Sequence, residues 1–309
     1  MTAGLVTLRA GTRASALARW QTTRVSEALE RLTGVPSHPI VISTTGDRAL
    51  DIPLPALGGK GAFTEELEQA LRDGRIDFAV HSLKDLPVVD PAGITVAAIL
   101  SRDDPRDVVI ARKAGSLAEL PSGAVVGTSS NRRMAQIAAL RPDVTIRPLR
   151  GNVDTRVRKA LEGEYDAIVI AAAGVHRLGL TAHVTEYLPF HQMLPAPGQG
   201  ALAVQCRADD DAVRALLMVL DDPAVRVPTT AERAFLSDLG GGCAAPIAAL
   251  GESFEGEGRR QLRLTGLVAS LDGRRVVRAT LEGEWNAGEA LAQALAERVT
   301  ADGARALLA

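Results

Sequence analysis

The chain has 309 residues, with 35 Lys and Arg against 37 Asp and Glu and 46% hydrophobic residues, room for one large domain or two to three smaller ones. A formal charge of -2 argues against a general polyelectrolyte binder, which carries a net basic footprint for counterion release. The cations are 31 Arg and only 4 Lys, which fits an Arg-favouring genome and equally a need for planar, bidentate groups that hold carboxylates or phosphates.

Hydrophobic periodicity alternates between short β-branched runs and longer amphipathic stretches. In chain order it predicts a strand at 5–8, a helix at 15–32, a strand at 38–43, a helix at 63–72 and a strand at 76–80. After Asp103-Asp104-Pro105 come strand 124–126, helix 131–140, strand 145–148, helix 153–161 and strand 167–171. Such alternation predicts parallel sheets with crossover helices. A buried strand at 201–206 and a helix at 209–220 follow, with the strand returning to the first sheet. From about residue 221 the pattern changes to a helix at 229–239, a glycine loop, strands at 262–270 and 275–281, and a closing helix at 287–309. Asp272-Gly273 between the two strands is a hairpin signal. The expected division is 1–100 with 200–220, then 101–199, then a small α+β domain at 221–309.

The longest apolar run, 167–175, is about half of what a membrane helix needs. The first 20 residues are interrupted by Arg9, Arg13 and Arg19 and lack the apolar core of a secretory signal. Two cysteines, Cys206 and Cys243, predict neither a disulfide framework nor a Cys-based zinc site, and the five His show no metal-ligand spacing. The expectation is a cytoplasmic protein without membrane, nucleic-acid or metal partners.

Charge is uneven along the chain. Residues 101–200 hold 13 cations against 10 anions, whereas 221–309 hold 10 against 13. A charge run is most often a solvated face, but position within the elements favours a ligand. Gly127-Thr128-Ser129-Ser130 ends a strand and supplies an N-cap, so Arg132 and Arg133 fall in a first helical turn, where the macrodipole disfavours cations. An anion there would relieve the conflict. The pattern recurs at Arg13 beside Ser15, at Arg150-Gly151-Asn152 leading to Arg156, and at Arg177. Loops at the carboxyl ends of strands line the ligand crevice of open α/β sheets. Convergent arginines at such ends predict a ligand with many carboxylates or phosphates.

Two further residues could carry chemistry. Asp85, in His81-Ser82-Leu83-Lys84-Asp85, also sits at a strand's carboxyl end, either as a surface pair with Lys84 or as an ionised group that stabilises a cationic intermediate. Cys243 follows Gly240-Gly241-Gly242, which permits unusual backbone angles and close approach by a ligand, although a lone Cys is most often a small buried hydrophobe. Cys206 ends an apolar strand and fits that ordinary role. Gly58-Gly59-Lys60-Gly61 is not a phosphate-binding Walker loop, because Gly61 stands where Ser or Thr is required.

In order along the chain, Thr12-Arg13-Ala14-Ser15, Gly58-Gly59-Lys60-Gly61, His81 to Asp85, Gly127 to Arg133, Arg150-Gly151-Asn152-Val153, Pro197-Gly198-Gln199-Gly200 and Gly241-Gly242-Cys243 resemble the porphobilinogen deaminase (hydroxymethylbilane synthase) family. The resemblance implies two periplasmic-binding-protein-like α/β domains around a cleft and a small C-terminal α+β domain. It implies a monomeric transferase of tetrapyrrole biosynthesis, joining four porphobilinogen molecules on a dipyrromethane cofactor bound through a thioether to Cys243. By the same resemblance Asp85 is catalytic; Lys84, Thr128, Ser129, Ser130, Arg132, Arg133, Arg150 and Gly151 bind the cofactor. Arg13, Ser15, Arg150, Arg156, Arg177 and Gln199 bind substrate, and Asp47 and Lys60 belong to a lid. Each pyrrole bears an acetate and a propionate, a polyanion of the kind the arginines anticipate. The sequence departs from the family pattern at Ala56, Asn131 and Gly240. The rival expectation is an anion-binding module on the same scaffold, which would need neither Cys243 nor Asp85.

Overall fold

The computed structural model describes residues 7–48, 64–242, 244–256 and 258–308. The chain divides into two compact units, residues 1–102 with 201–226 and residues 103–200 with 227–309.

The first unit is built on a five-stranded sheet. Its strands are β1 (Leu8–Thr12), β2 (Ser37–Val41), β3 (Phe78–Ser82), β4 (Ile94–Arg102) and, numbered by chain order, β10 (Ala201–Arg207), arranged β2-β1-β3-β10-β4. Strand β1 runs parallel to β2 and β3, and β10 runs antiparallel to β3 and β4. The sheet is therefore mixed, where alternation predicted purely parallel pairing: β10 re-enters the unit between β3 and β4 in the opposite direction. Helix α1 (Ala16–Thr33) starts at Ser15, whose Oγ accepts the Ala18 N–H at 3.3 Å, and stops at Gly34 with φ +72°. Its buried stripe, Ala18, Gln21, Thr22, Val25 and Leu29, follows helical spacing. Val25 and Leu29 pack with Leu8, Phe78, Val80, Leu202 and Val204, each fully buried aliphatic side chain contributing about 1.5–3 kcal/mol. Helix α2 (Thr45–Arg48) is one turn; α3 (Glu65–Arg72) covers the opposite sheet face through Leu67 and Leu71, and α7 (Asp211–Met218) joins α1.

The second unit holds two sheets. One comprises β5 (Asp107–Ala111), β6 (Val125–Gly127), β7 (Thr145–Arg147), β8 (Ala167–Ala171) and β9 (Glu186–Tyr187) in the order β7-β6-β8-β5-β9, with α4 (Asn131–Leu140), α5 (Val153–Glu162) and α6 (Ala172–Arg177) between strands. Here too the sheet is mixed, since β5 runs antiparallel to β8 and β9. The other is an antiparallel meander, β11 (Ile247–Gly256), β12 (Arg259–Ala269) and β13 (Val276–Glu284), flanked in sequence by α8 (Pro223–Asp238) and α9 (Gly288–Ala301). Asp272-Gly273 makes the expected hairpin turn, with Gly273 at φ +70°. Strands β4, β5 and β11 have no counterpart among the sequence expectations, although β4 and β5 carry β-branched runs; only β11, with its Ala-Ala-Leu-Gly stretch, has weak strand composition. Helix α8 starts six residues earlier than periodicity indicates and contains Pro228, whose carbonyl oxygen would lie 2.8 Å from a Cβ at Gly251.

Within this unit the meander docks on α4. Ala135 and Leu194 share one buried cluster with Ala248, Leu250, Leu267 and Ala269. The Arg278 guanidinium donates to the carbonyls of His191 at 3.0 Å and Phe190 at 3.2 Å, and its burial there pushes its pKa down. Among the described residues no helix is long and apolar enough to cross a membrane.

Candidate active site

In the first unit the candidate residues gather where the parallel strands end. Arg13 and Ser15 follow β1, and Lys84 and Asp85 form a 3-10 turn, Leu83–Asp85, directly after β3. Asp85 is exposed and Lys84 half-buried. His81, buried one residue before the end of β3, has its pKa pushed down to about 4 by desolvation and then by the charge of Arg13, so the imidazole is neutral at physiological pH. Gln21 was not anticipated. From the buried stripe of α1 its Nε2 donates to Ser82 Oγ at 2.9 Å, at the same strand end. A polar residue recurring on an otherwise apolar helical stripe is the signal that could have found it.

In the second unit β6, β7 and β8 end together, and β5 begins beside them, with Asp107 opposite Ala171. The hydroxyls of the Thr128-Ser129-Ser130 turn hold the loop to itself. Ser129 Oγ donates to Leu149 O at 2.8 Å and accepts Leu149 N–H at 2.9 Å, Thr128 Oγ1 accepts Ser130 N–H, and Ser130 caps α4 by accepting Arg133 N–H. The turn after β6 is thereby stapled to the segment that leads into Arg150 and Gly151. Gly151 needs its φ of +116°, and a Cβ there would lie 2.8 Å from Thr155 Cγ2. Arg156 Nε donates to Gly151 O at 2.7 Å, closing the same loop from the first turn of α5.

Arg132 and Arg133 find an anion, and it is internal. Asp107, fully buried, accepts Arg132 Nη1 at 2.7 Å on Oδ2, and on Oδ1 accepts Arg133 Nη2 at 2.7 Å and Nε at 3.1 Å. Gln199 Nε2 adds a bond of 2.9 Å to Oδ1 and another of 2.7 Å to Pro105 O. Burial alone would raise the Asp107 pKa, but the two guanidiniums overcome it and hold the carboxyl well below the usual range. Arg177 is likewise buried. It donates to Gly200 O and stands 3.7 Å from Asp103, and desolvation pushes its pKa down. Asp103 also meets His176 Nδ1 at 2.9 Å, whose Nε2 faces Tyr187 OH at 2.9 Å. Asp107 and Asp103 were both missed in the sequence; each lies at the edge of a strand that the periodicity reading did not assign, Asp103 directly after β4 and Asp107 at the start of β5.

Cys243 and Lys60 lie outside the described residues, and of Asp47 only the backbone, in α2, is described. Among the described residues no group of three or more His, Cys, Asp or Glu could hold a metal ion. Cys206 is fully buried, and desolvation pushes its thiol up to about 11, which makes it inert.

In each unit polar side chains follow the carboxyl ends of parallel strands, Arg13, Lys84 and Asp85 in the first and the Thr128 to Ser130 hydroxyls with Arg150 in the second, an α/β arrangement suited to anionic small molecules. Comparison with known proteins makes this specific. Residues 8–215 match the family model described as porphobilinogen deaminase, dipyromethane cofactor binding domain, and residues 227–301 match that of the porphobilinogen deaminase C-terminal domain. The porphobilinogen deaminase of Roseiflexus sp. (strain RS-1) is 51% identical over 307 residues, covering 98% of this chain and 99% of the relative. That of Geobacter metallireducens is 47% identical over 303 residues, covering 98% and 94%. A periplasmic substrate-binding protein of an ABC transporter from Coxiella burnetii aligns at 15% identity and a TM-score of 0.45, over 74% of this chain and 95% of that one. The chain belongs to the porphobilinogen deaminase family.

Proposed function

We propose that this chain deaminates four porphobilinogen molecules and joins them head to tail on a dipyrromethane attached to Cys243, releasing hydroxymethylbilane for tetrapyrrole biosynthesis. The observation that carries the reading is the family match across nearly the whole chain. The donor set fits such a group: guanidinium and ammonium cations for its carboxylates, a carboxylate for its pyrrole N–H groups, and a thiol for its attachment. When bound, the dipyrromethane supplies a free pyrrole carbon as the nucleophile of the first coupling.

Asp85 is the catalytic group of the reading. Its carboxylate accepts pyrrole N–H bonds and stabilises the positive charge that develops on the substrate as ammonia leaves. Lys84 beside it, with Arg13 and Ser15 at the neighbouring strand end, takes substrate and cofactor carboxylates. Across the second unit Thr128, Ser129, Ser130, Arg150 and Gly151 shape the cofactor loop, and Arg156 holds Gly151 while presenting its charge to substrate. Arg132, Arg133, Arg177 and Gln199 act mainly as the scaffold of these loops, through Asp107 and the Gly200 carbonyl.

Intact mass under denaturing conditions tests cofactor and function together. The expected species is heavier than the chain by two linked pyrrole units, and Cys243→Ser loses that increment. An active protein of unmodified mass would refute the attachment. Asp85→Ala is expected to abolish turnover while leaving the added mass, and wild-type turnover in that variant removes Asp85 from the mechanism. We also assign three domains, 1–100 with 200–220, 101–199 and 221–309; the two separate sheets of the second unit favour the latter boundary. A cytoplasmic monomer completes the reading, checked by cell fractionation and by light scattering of the purified chain.

A further inference from the structure

The structure assigns to Asn131 a positioning role: it tethers the segment that carries Cys243 to the rigid first turn of α4. This rests on the reading of Cys243 as the attachment point. Asn131 is the first residue of α4, directly after the Ser130 cap. Helix formation gives no reason for it, since Asn is a weak helix former and the cap is already supplied. Its Nδ2 instead donates to Ala244 O at 2.8 Å, a bond spanning 113 residues that lands one residue after Cys243.

The segment around that carbonyl needs a tether. Gly240 and Gly241 donate to Ser237 O and Leu236 O at the end of α8, and Pro246 O accepts Ala269 N–H from β12. Between these anchors Ala245 N–H bonds Gly242 O at 2.9 Å, a turn local to the segment. Gly241 is packed tightly, a Cβ there lying 2.5 Å from Ile247 Cδ1 and 2.7 Å from Leu236 Cδ1, but a Cβ at Gly242 would meet nothing within 4 Å, so packing restraint stops short of Ala244. Asn131 supplies a link from it to another element. Its own end is fixed, because Arg132 and Arg133, the next two residues, are locked on buried Asp107. The tether therefore links Ala244 to a helix start that Asp107 holds through Arg132 and Arg133.

The test compares Asn131→Asp with Asn131→Gln in the purified full chain carrying its covalent load. Asp is isosteric, loses the donor and suits a first helical turn, so it spares the helix; Gln keeps the donor. A neutral hydrogen bond of about 1 kcal/mol corresponds to about five-fold in opening equilibrium. Hydrogen exchange at the Ala244 and Ala245 amides is expected to quicken about five-fold in Asn131→Asp and to stay within about two-fold of wild type in Asn131→Gln. Peptides covering 133–140 should be unchanged, and kcat should fall in Asn131→Asp at unaltered KM for porphobilinogen. Unchanged exchange overturns the tether, as does equal quickening across 133–140, which would mark a weakened helix. Faster loop exchange with wild-type kcat overturns the positioning role. Intact mass on the same samples keeps the two readings apart: absence of the pyrrole increment from Cys243 refutes the attachment, whereas the tether stands or falls on exchange.

Discussion

Asp107→Asn isolates what the buried cluster contributes. The substitution keeps shape and volume but removes the charge that faces two guanidiniums, both nine-tenths or more buried. One of the two carboxylate oxygens becomes an NH2 group. If it replaces Oδ2 it opposes Arg132 Nη1, and if it replaces Oδ1 it opposes Arg133 and Gln199 together. Either way a donor meets a donor, and two cations lose their counter-charge. Breaking a buried pair by removing one partner costs about 3–5 kcal/mol. For a unit of this size about 2–4 °C of Tm accompanies each kcal/mol, so its transition should fall by about 6–20 °C in scanning calorimetry. Because the folded pKa of Asp107 is depressed, its contribution is complete above the unfolded value near 4 and is lost as pH falls through the folded value below the usual carboxylate range. The wild-type cluster should therefore persist through mild acid, and the gap between the two proteins should hold from pH 8 to pH 5. Replacing Asp107, Arg132 and Arg133 together by Leu, Met and Leu should recover much of the stability without recovering activity. A Tm within 2 °C of wild type for Asp107→Asn would show that the cluster is not a structural unit, and the scaffold role given to both arginines would fail with it.

Three other outcomes follow from particular groups. His81 is neutral in the fold down to about pH 4, whereas the unfolded chain protonates near 6.5, so stability should fall as pH drops from 6.5 to 4 by roughly 3 kcal/mol; His81→Asn should flatten that part of the Tm profile, and an identical slope in both proteins would contradict the burial argument. Glu232, fully buried on α8, accepts the N–H groups of Gly198 and Gly251 at 2.7 Å each; Glu232→Gln sets a donor against one of them and should cost about 1–3 kcal/mol in urea unfolding, with no loss expected only if both amides have other acceptors. Gly251→Ala drives a methyl to 2.8 Å from the Pro228 carbonyl oxygen, backbone that cannot swing aside, and should lower stability by about 1–3 kcal/mol; a wild-type melting curve would mean that β11 and α8 separate at little cost.

The architecture was legible wherever a periodic face coincides with an element. Helix α1 reads directly from Ala18, Gln21, Thr22, Val25 and Leu29, and its cap from Ser15. The Asp272-Gly273 turn needed only its dipeptide. Strand β5 was hidden because it opens on a buried aspartate, a residue that composition assigns to a loop, and β11 because its Ala-Ala-Leu-Gly run carries no branched signal. Mixed pairing was equally hidden: direction depends on where β10 and β5 enter their sheets, which periodicity does not encode. Of the candidate site, strand-end placement was legible, since Arg13, Lys84, Asp85, Thr128 and Arg150 each follow a strand in sequence as they do in space. Partners were not. Gln21 meets Ser82 across 61 residues, and Gln199 meets Asp107 across 92.

The arginines at helix starts carry the wider lesson. A cation in a first turn opposes the macrodipole, and an anion must compensate, but electrostatics alone does not say whether that anion is a ligand or a side chain. Here the two cases sit on successive strand ends of one sheet. After β6, Arg132 and Arg133 are answered by Asp107, fully buried and held ionised by them, which makes the turn rigid. After β7, Arg150 is only half-buried, and the neighbouring Gly151 turns its carbonyl to Arg156. Burial distinguishes the two: the guanidiniums of Arg132 and Arg133 are sealed with a carboxylate, whereas Arg150 keeps partial solvent access. Sorted this way, the 13 cations of residues 101–200 cease to be one patch, since those closest to the helix start build the platform. On the proposed reading, a ligand that gains carboxylates at each coupling draws on the half-buried Arg150 and Arg156. Substituting Arg150 by Leu should accordingly impair elongation while leaving the thermal transition within about 2 °C of wild type, because Arg150 is no part of the Asp107 cluster. A large fall in Tm would place Arg150 with the scaffold instead.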